Sequence, residues 1–312
     1  MRILVTGGAG FIGSHVVDAY VAAGHDVSIL DDFSTGDAAN VNGEAKVLRL
    51  DVRNRDGVAA ALEAFRPDVV NHHAAQSEVP KSVVDPGFDA TVNIVGGLNV
   101  LRASIDAGVR KFIFSSTGGA LYGEPDVIPA DEDHPLRPLS PYGTSKLSFE
   151  YYLGTFHRLY GLDYTVLRYA NIYGPRQDFK SEEGRVIAIF ASRMIAGKPV
   201  RVDGNGEQSR DMLHVADVAL ANIAALERGA GGTYHISTAI PVTINELFRK
   251  LALLTDYKSE PTYGPPRTGD VYRIALDNTR ARSELGWEPK VALEEGLSET
   301  VEYFRHQVLS SA

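Results

Sequence analysis

A chain of 312 residues, 44% hydrophobic and 23% charged, is long and apolar enough to bury a core, as one large α/β unit or as two domains sharing an interface. A formal net charge of -9 excludes the broad basic surface that a nucleic-acid or anionic-membrane partner would need, while leaving room for an anionic small molecule where a few arginines converge. Cysteine is absent, which removes disulfides, thiolate nucleophiles and cysteine-ligated zinc; none of the nine histidines has the helical spacing of a zinc hydrolase, and no metal is expected.

At the amino end, Arg2-Ile3-Leu4-Val5 runs straight into a glycine-rich turn, unlike a signal peptide. No apolar stretch approaches the roughly 20 residues of a membrane helix, so the expectation is a soluble, cytoplasmic protein. Short apolar runs at Ile3–Thr6, Val27–Leu30, Val47–Leu50, Val69–His72 and Phe112–Ser115 read as buried parallel strands. Helical patterns such as Ile12–Ala23 and Asn93–Ala107 lie between them. Ser140-Pro141 opens a long helix to Tyr160, followed by a strand over Tyr164–Tyr169. Strand–helix alternation of this kind predicts an α/β fold built on a doubly wound parallel (Rossmann) sheet.

Beyond residue 170 the pattern loosens. Glycine–proline segments at Gly174-Pro175, Gly204-Asn205-Gly206 and Gly264-Pro265-Pro266 separate helices near Arg185–Ala196, Val215–Glu227, Ile244–Leu254 and Leu293–Arg305. The expectation is a first domain over 1–170 and a smaller, irregular α/β substrate domain over 171–312, with segments free to cross a soft boundary. Ligands of such sheets bind at the carboxyl ends of the strands, so the residues after each run matter most.

After the first strand comes Gly7-Gly8-Ala9-Gly10-Phe11-Ile12-Gly13. Alone, a glycine run is also compatible with a flexible turn. Between a strand and a helix it has a sharper meaning: one glycine makes the tight turn, one lets backbone approach a pyrophosphate, and one lets helix pack on strand. The helix amino terminus then offers free N–H groups and a favourable dipole to phosphates. Asp31 and Asp32 end the next strand. A carboxylate there accepts ribose hydroxyls and repels a 2′-phosphate, which favours NAD over NADP. Asp51-Val52 closes the third strand, where it could cap an adenine.

Among 14 tyrosines, only Tyr142 is followed four residues later by lysine, Lys146, in a helical stretch. Positions i and i+4 share a helix face, so phenol and ammonium can reach one ligand. A tyrosine serving as a base near neutral pH must drop by about three pKa units, or about 4 kcal/mol. One cation about 4 Å away, at an effective dielectric of 20, offers a similar amount. Such a pair by itself is also an ordinary surface contact. What changes its meaning is the end of the fifth strand, where Ser115-Ser116-Thr117 brings hydroxyls to the place a ligand is expected.

Together these residues resemble the extended short-chain dehydrogenase/reductase family, in particular its UDP-glucose 4-epimerases. The resemblance runs over nearly the whole chain: Gly7 to Gly13, Asp31, Asp51-Val52, His73-Ala74-Ala75-Gln76, Asn93, Ser115 to Gly123, Tyr142 with Lys146, Arg168 to Gln177, Arg210-Asp211, and Arg267 with Asp270. It implies NAD as cofactor, held by Gly7, Gly10, Phe11, Ile12, Gly13, Asp31, Asp32, Asp51, Val52, His73, Ala74, Ala75, Gln76, Asn93, Ser115, Tyr142, Lys146 and Tyr169. It further implies Tyr142 as general base, Lys146 lowering its pKa, and Thr117 orienting the sugar 4-oxygen. Asn171, Arg210, Arg267 and Asp270 would hold the UDP moiety of a UDP-sugar substrate. A homodimer through the helices of Asn93–Ala107 and Tyr142–Tyr160 is expected on the same ground.

There are departures. Thr117-Gly118-Gly119 replaces a serine-rich form and is one residue longer, and Asp211-Met212-Leu213-His214 replaces a more usual aromatic-containing stretch. Ile274 stands where the family limits the sugar's 2-substituent, which leaves N-acetylhexosamines open. A dehydratase would need a carboxylic acid beside the threonine, where Gly118-Gly119 stand. A UDP-uronate epimerase or decarboxylase shares the scaffold. A plain NAD(P)H reductase would consume cofactor, and a non-catalytic dinucleotide sensor would have no use for Tyr142, Lys146 and Thr117 together.

Overall fold

Residues 1–179, 186–266 and 271–310 are described by the computed structural model. Six strands come from the first 170 residues: Arg2–Thr6 (β1), Asp26–Asp31 (β2), Lys46–Arg49 (β3), Val69–His72 (β4), Lys111–Thr117 (β5) and Asp163–Tyr169 (β6). Asn171–Tyr173 (β7), Arg201–Asp203 (β8) and Ser209–His214 (β9) follow, then Gly232–Ile236 (β10), Pro241–Thr243 (β11) and Thr262–Gly264 (β12). The main sheet runs β10-β6-β5-β4-β1-β2-β3, and every pairing in it is parallel. The predicted doubly wound sheet is therefore present, with β10 as a seventh strand that the sequence pattern had not marked. It comes from the second half of the chain and pairs Gly232–Ile236 with Thr165–Tyr169.

Alternation along the strands explains how the sheet is covered. Ile3 and Val5 of β1 point into one core while Leu4 between them points into another, and all three are fully buried. Parallel sheets are buried on both faces, and this one is covered by helices on each. On the Ile3 face pack Phe11–Ala22 (α1) and, later in the chain, the helix of Val215–Ala225. On the Leu4 face lie Arg55–Phe65 (α2), Gly97–Asp106 (α5) and Pro141–Tyr160 (α6). Between α2 and α5 come two short helices, Val79–Val84 (α3) and Pro86–Ala90 (α4). The predicted helix over Asn93–Ala107 is α5 preceded by a wider, π-helical turn over Thr91–Gly96.

The longest of these helices begins where the sequence says it should. Ser140 is extended, its hydroxyl accepts from Gly143 N at 3.2 Å, and Pro141 fills the first turn. Such a cap contributes about 1 kcal/mol. Gly161, left-handed at φ 70°, ends the helix.

A second core lies under Val186–Ile195 (α7), Ile244–Thr255 (α9) and Leu293–Ser310 (α10), while Val215–Ala225 (α8) packs into the first core against α1. Its largest members include Phe190, Phe248 and Phe304. The small sheets β11-β9-β7 and β12-β8 belong to this half. No helix among the described residues is long and apolar enough to cross a membrane.

Candidate active site

In the main sheet β1 leads outward to β2 and β3 on one side, while β4 begins the other side. Loops leaving β1 and β4 therefore part at their carboxyl ends and open a crevice, and a cleft of about 980 Å³ lies there. Gly7 turns at φ +69°, and a Cβ on it would lie 2.6 Å from Ala74 N at the end of β4. A Cβ on Gly13 would lie 2.1 Å from Gly7 O, so only glycine lets α1 sit this close to the turn. Gly10 caps α1 without a side-chain hydrogen bond. Its first N–H groups thus face the cleft beside a backbone cradle, the arrangement that accepts a pyrophosphate. These residues fit a dinucleotide.

Gly7, Gly10, Phe11, Ile12, Gly13, Asp31, Asp32, Asp51, Val52 and His73 to Gln76 all line the cleft. Asp31 does two jobs. Its Oδ2 accepts from Ala9 N at 2.9 Å and its Oδ1 from Phe33 N at 2.8 Å, tying the glycine turn to the end of β2. Burial pushes its carboxyl above the usual range, against the pull of those two N–H groups. Asp32 accepts from Ser34 N and Oγ, and Asp51 is clamped by the Arg53 guanidinium, which lowers its pKa.

Asn93 is placed differently from the rest. It does not line the cleft; it is buried behind it, where its amide braces Gln76 N at 2.8 Å and Gln76 O at 3.0 Å. Tyr169 does line the cleft, stacked on His73 with ring centroids 6.2 Å apart, its hydroxyl accepting from Asn222. His73 is held neutral, down to about 3, by burial.

At the far wall β5 and α6 bring the reactive candidates together. Ser115, Thr117, Tyr142 and Lys146 line the same cleft. The Tyr142 hydroxyl hydrogen-bonds the Thr117 side chain, which lowers its pKa, but burial dominates and pushes it up to about 12. Lys146 Nζ donates to Ser115 O at 2.8 Å and sits 4.8 Å above the Phe114 ring; burial lowers it to about 8. One turn further along α6, Glu150 accepts from Ser116 Oγ and pairs with Arg168 at 2.6 Å, locking the end of β5 to the helix and to β6.

Of the predicted nucleotide-sugar ligands, Asn171 begins β7 and lines the cleft. Arg210 lies in β9, its Nη1 donating to Ser209 O and Tyr272 O, and it is not among the cleft-lining residues. Arg267 and Asp270 lie outside the described residues. Ile274 is 1% exposed and packs with Leu121, Tyr122 and Leu276. Leu276 packs close to the glycine departure, and a Cβ on Gly118 would fall 2.2 Å from its Cδ1, so a side chain there would displace the leucine.

Several cleft residues were not singled out from sequence, among them Phe33, Tyr303 and Gln307, and Arg176 was named only as part of the Arg168 to Gln177 segment, with no role. Arg176 follows Gly174-Pro175 with φ 67° and pairs with Asp18 of α1 at 2.8 Å, which aims a cation at the mouth of the turn. The Gly-Pro turn was visible in the sequence; the direction of its arginine was not.

A family model described as the NAD dependent epimerase/dehydratase family matches residues 3–237. The UDP-glucose 4-epimerase of Mycolicibacterium smegmatis is 44% identical over 98% of this chain and 99% of its own length. A UDP-glucose 4-epimerase of Thermotoga maritima, solved with UDP-glucose, superposes with a TM-score of 0.97 at 50% identity, covering 99% of this chain and 100% of that one. A Thermus thermophilus UDP-glucose 4-epimerase in complex with NAD gives 0.93 at 44% identity, covering 98% and 99%.

Proposed function

This chain belongs to the NAD dependent epimerase/dehydratase family, and from that premise we propose that it is an NAD-dependent enzyme that interconverts UDP-glucose and UDP-galactose by inverting carbon 4 of the sugar. The observation that carries the reading is the meeting of Tyr142, Thr117 and Lys146 at the carboxyl end of β5, inside the cleft that the glycine turn opens. NAD, when bound there, supplies the hydride acceptor and donor and, in its oxidised form, a positive charge.

The chain's own residues handle the proton. Tyr142 takes it from the sugar 4-hydroxyl and returns it once the 4-keto sugar has presented its other face. A phenol pushed to about 12 by burial stays protonated near neutral pH and so cannot accept a proton; cationic neighbours must bring it down, and Lys146 is the cation one helical turn away. Lys146 is fixed for that task by Ser115 O. Thr117 aligns the 4-oxygen. Asn171, Arg210, Arg267 and Asp270 hold the UDP group while the sugar turns. Asp31 receives the adenosine ribose and repels a 2′-phosphate.

The assignment carries two further expectations. Residues 1–170 mainly hold NAD and 171–312 mainly hold the nucleotide sugar, with β10 crossing between them. The enzyme works in the cytoplasm as a homodimer through α5 and α6, a reading supported by exposed Tyr151, Tyr152, Leu159 and Tyr160 on α6. Light scattering of the purified protein at several concentrations tests the dimer.

The test of function is to incubate the protein with UDP-galactose and NAD, resolve the sugars, and follow the reduced-nicotinamide absorbance. UDP-glucose formed without net reduced cofactor is the expected result. Stoichiometric reduction would make the enzyme a plain dehydrogenase, and conversion of UDP-uronates alone would move the substrate within the same family.

A further inference from the structure

We propose that Asp89 is a positioning residue for the Tyr142–Lys146 pair, a buried carboxylate behind the cleft that braces α6 and the Gln76 loop through Asn93 and acts on Lys146 by its charge. The inference rests on the reading of Tyr142 as proton acceptor and Lys146 as its cation.

Asp89 sits in α4, a five-residue helix, and is 1% exposed. Carboxylates are almost never buried so completely without compensation. Here the compensation is one-sided. Its Oδ1 accepts from Gln76 Nε2 at 3.0 Å and Asn93 Nδ2 at 3.1 Å, while its Oδ2 is buried and accepts no hydrogen bond among the described residues.

The hydrogen bonds lead from Asp89 to the reactive helix. Asn93 Nδ2 also reaches Ser145 Oγ at 3.1 Å, and Ser145 Oγ donates to Tyr142 O at 3.0 Å. Asp89 thereby orients Asn93, Asn93 orients Ser145, and Ser145 holds the turn that carries Tyr142. The same amide fixes the backbone of Gln76 on the cleft wall.

Charge supplies the second strand of the argument. Lys146 is 4% exposed, and its Nζ has a carbonyl and an aromatic face as immediate neighbours, neither of which carries a full negative charge. The titratable groups that face it are Tyr142 and Glu150 on α6, Asp89 on α4, His72 at the end of β4 and His73 just after it. Both histidines are held neutral by burial. Glu150 is taken up by Arg168 at 2.6 Å. Asp89 has no ion pair of its own among the described residues, so its charge is available to Lys146 through the protein interior. That charge favours the ammonium form of Lys146 and opposes ionisation of Tyr142.

The sign of the effect follows. Removing the charge lets Lys146 lose its proton at lower pH and lets Tyr142 ionise at lower pH. Both edges of the active window should therefore slide down together, whereas a purely structural brace would lower activity and leave them in place.

Asp89→Asn keeps the shape and removes the charge. The NAD-loaded enzyme, carrying lysine labelled with carbon-13 at Cε, is titrated by NMR as wild type and as Asp89→Asn, with the Lys146 signal identified by its loss in Lys146→Arg. The expected result is a fall of about one pH unit in the Lys146 midpoint, with both limbs of the UDP-galactose pH profile displaced the same way. An unmoved midpoint in a folded, NAD-binding variant overturns the proposal. Should the amide variant not fold, Asp89→Ser, smaller and also uncharged, is read in its place against the same criterion. A wild-type enzyme that fails to convert any UDP-hexose would sink the functional reading, while the NMR titration would still decide the role of Asp89.

Discussion

Lys146 reaches across from α6 to the carbonyl of Ser115 on β5, 2.8 Å away, so the ammonium is pinned to the strand whose end carries Thr117. A flexible lysine would hover near Tyr142; this one is fixed in place. Tyr142→Phe removes the proposed proton acceptor and should lower kcat by about 10²–10⁴-fold with UDP-sugar binding retained. Lys146→Met should lower kcat comparably and, unlike Tyr142→Phe, move the acid limb of the pH profile upward, because a nearby cation favours the phenolate and the variant removes it. Steady-state rates with UDP-galactose from pH 6 to 10 check both. A fully active Tyr142→Phe enzyme would exclude it as the base.

Gly13 admits no side chain. The added methyl of Gly13→Ala would fall 2.1 Å from Gly7 O, a backbone atom that can yield only if the whole turn moves. NAD affinity should drop at least about tenfold, or ~1.4 kcal/mol, with a stability loss of about 1–3 kcal/mol from overpacking. Calorimetric titration with NAD and a urea melt would separate the two effects. Undiminished affinity would show that the cradle is not shaped around the cofactor.

Asp31 is structural, since it accepts from Ala9 and Phe33, and the proposed function makes it selective for the cofactor as well. In Asp31→Asn the amide oxygen can still accept from Ala9, but the negative charge is gone. The preference for NAD over NADP should narrow by about tenfold, read as the ratio of the two dissociation constants. If the ratio is unchanged, discrimination arises elsewhere on the cleft wall.

Buried imidazoles should make the fold sensitive to mild acid. His72, His73 and His235 are held to about 3 and His15 to about 4, with burial the first cause in each. All four are depressed from an ordinary value of 6.5, so the unfolded chain takes up protons that the folded chain refuses. Their contribution is fully present above pH 6.5 and is lost as pH falls toward 4 and then 3. The raised carboxyls of Glu132, Asp211 and Asp31 act in the opposite sense, from their raised values down to the ordinary carboxylate range. Tm should therefore hold steady from pH 8 to 7 and begin to fall between 6.5 and 5. A level Tm across that interval would mean the imidazoles gain protons inside the fold.

Much of this architecture was legible in the residues, for identifiable reasons. Strands such as Ile3–Thr6 and Val69–His72 read as apolar runs because both faces of a parallel sheet are buried. Ser140-Pro141 announced α6 because capping is local chemistry. Long-range partners carry no such mark. The short run over Gly232–Ile236 does not say that it will pair with Thr165–Tyr169. Nor does Asp89 or Glu150 advertise its burial, since a charge in a helical pattern normally faces solvent and only tertiary packing turns it inward. Asn93 illustrates the limit at the site: expected among the cofactor contacts, it lies one layer back and works on Gln76.

The late arrival of β10 has a consequence for how the chain is made. Thr165–Tyr169 pairs with β5 on one side, and its other edge waits for Gly232–Ile236. While a ribosome is still extending the chain, that edge offers bare N–H and C=O groups to any neighbour, including another nascent copy. The seven-stranded sheet is thus finished only after much of the second half of the chain has emerged. A fragment stopped near residue 170 would be born with an open flank, more a substrate for chaperones than a minimal NAD-binding module.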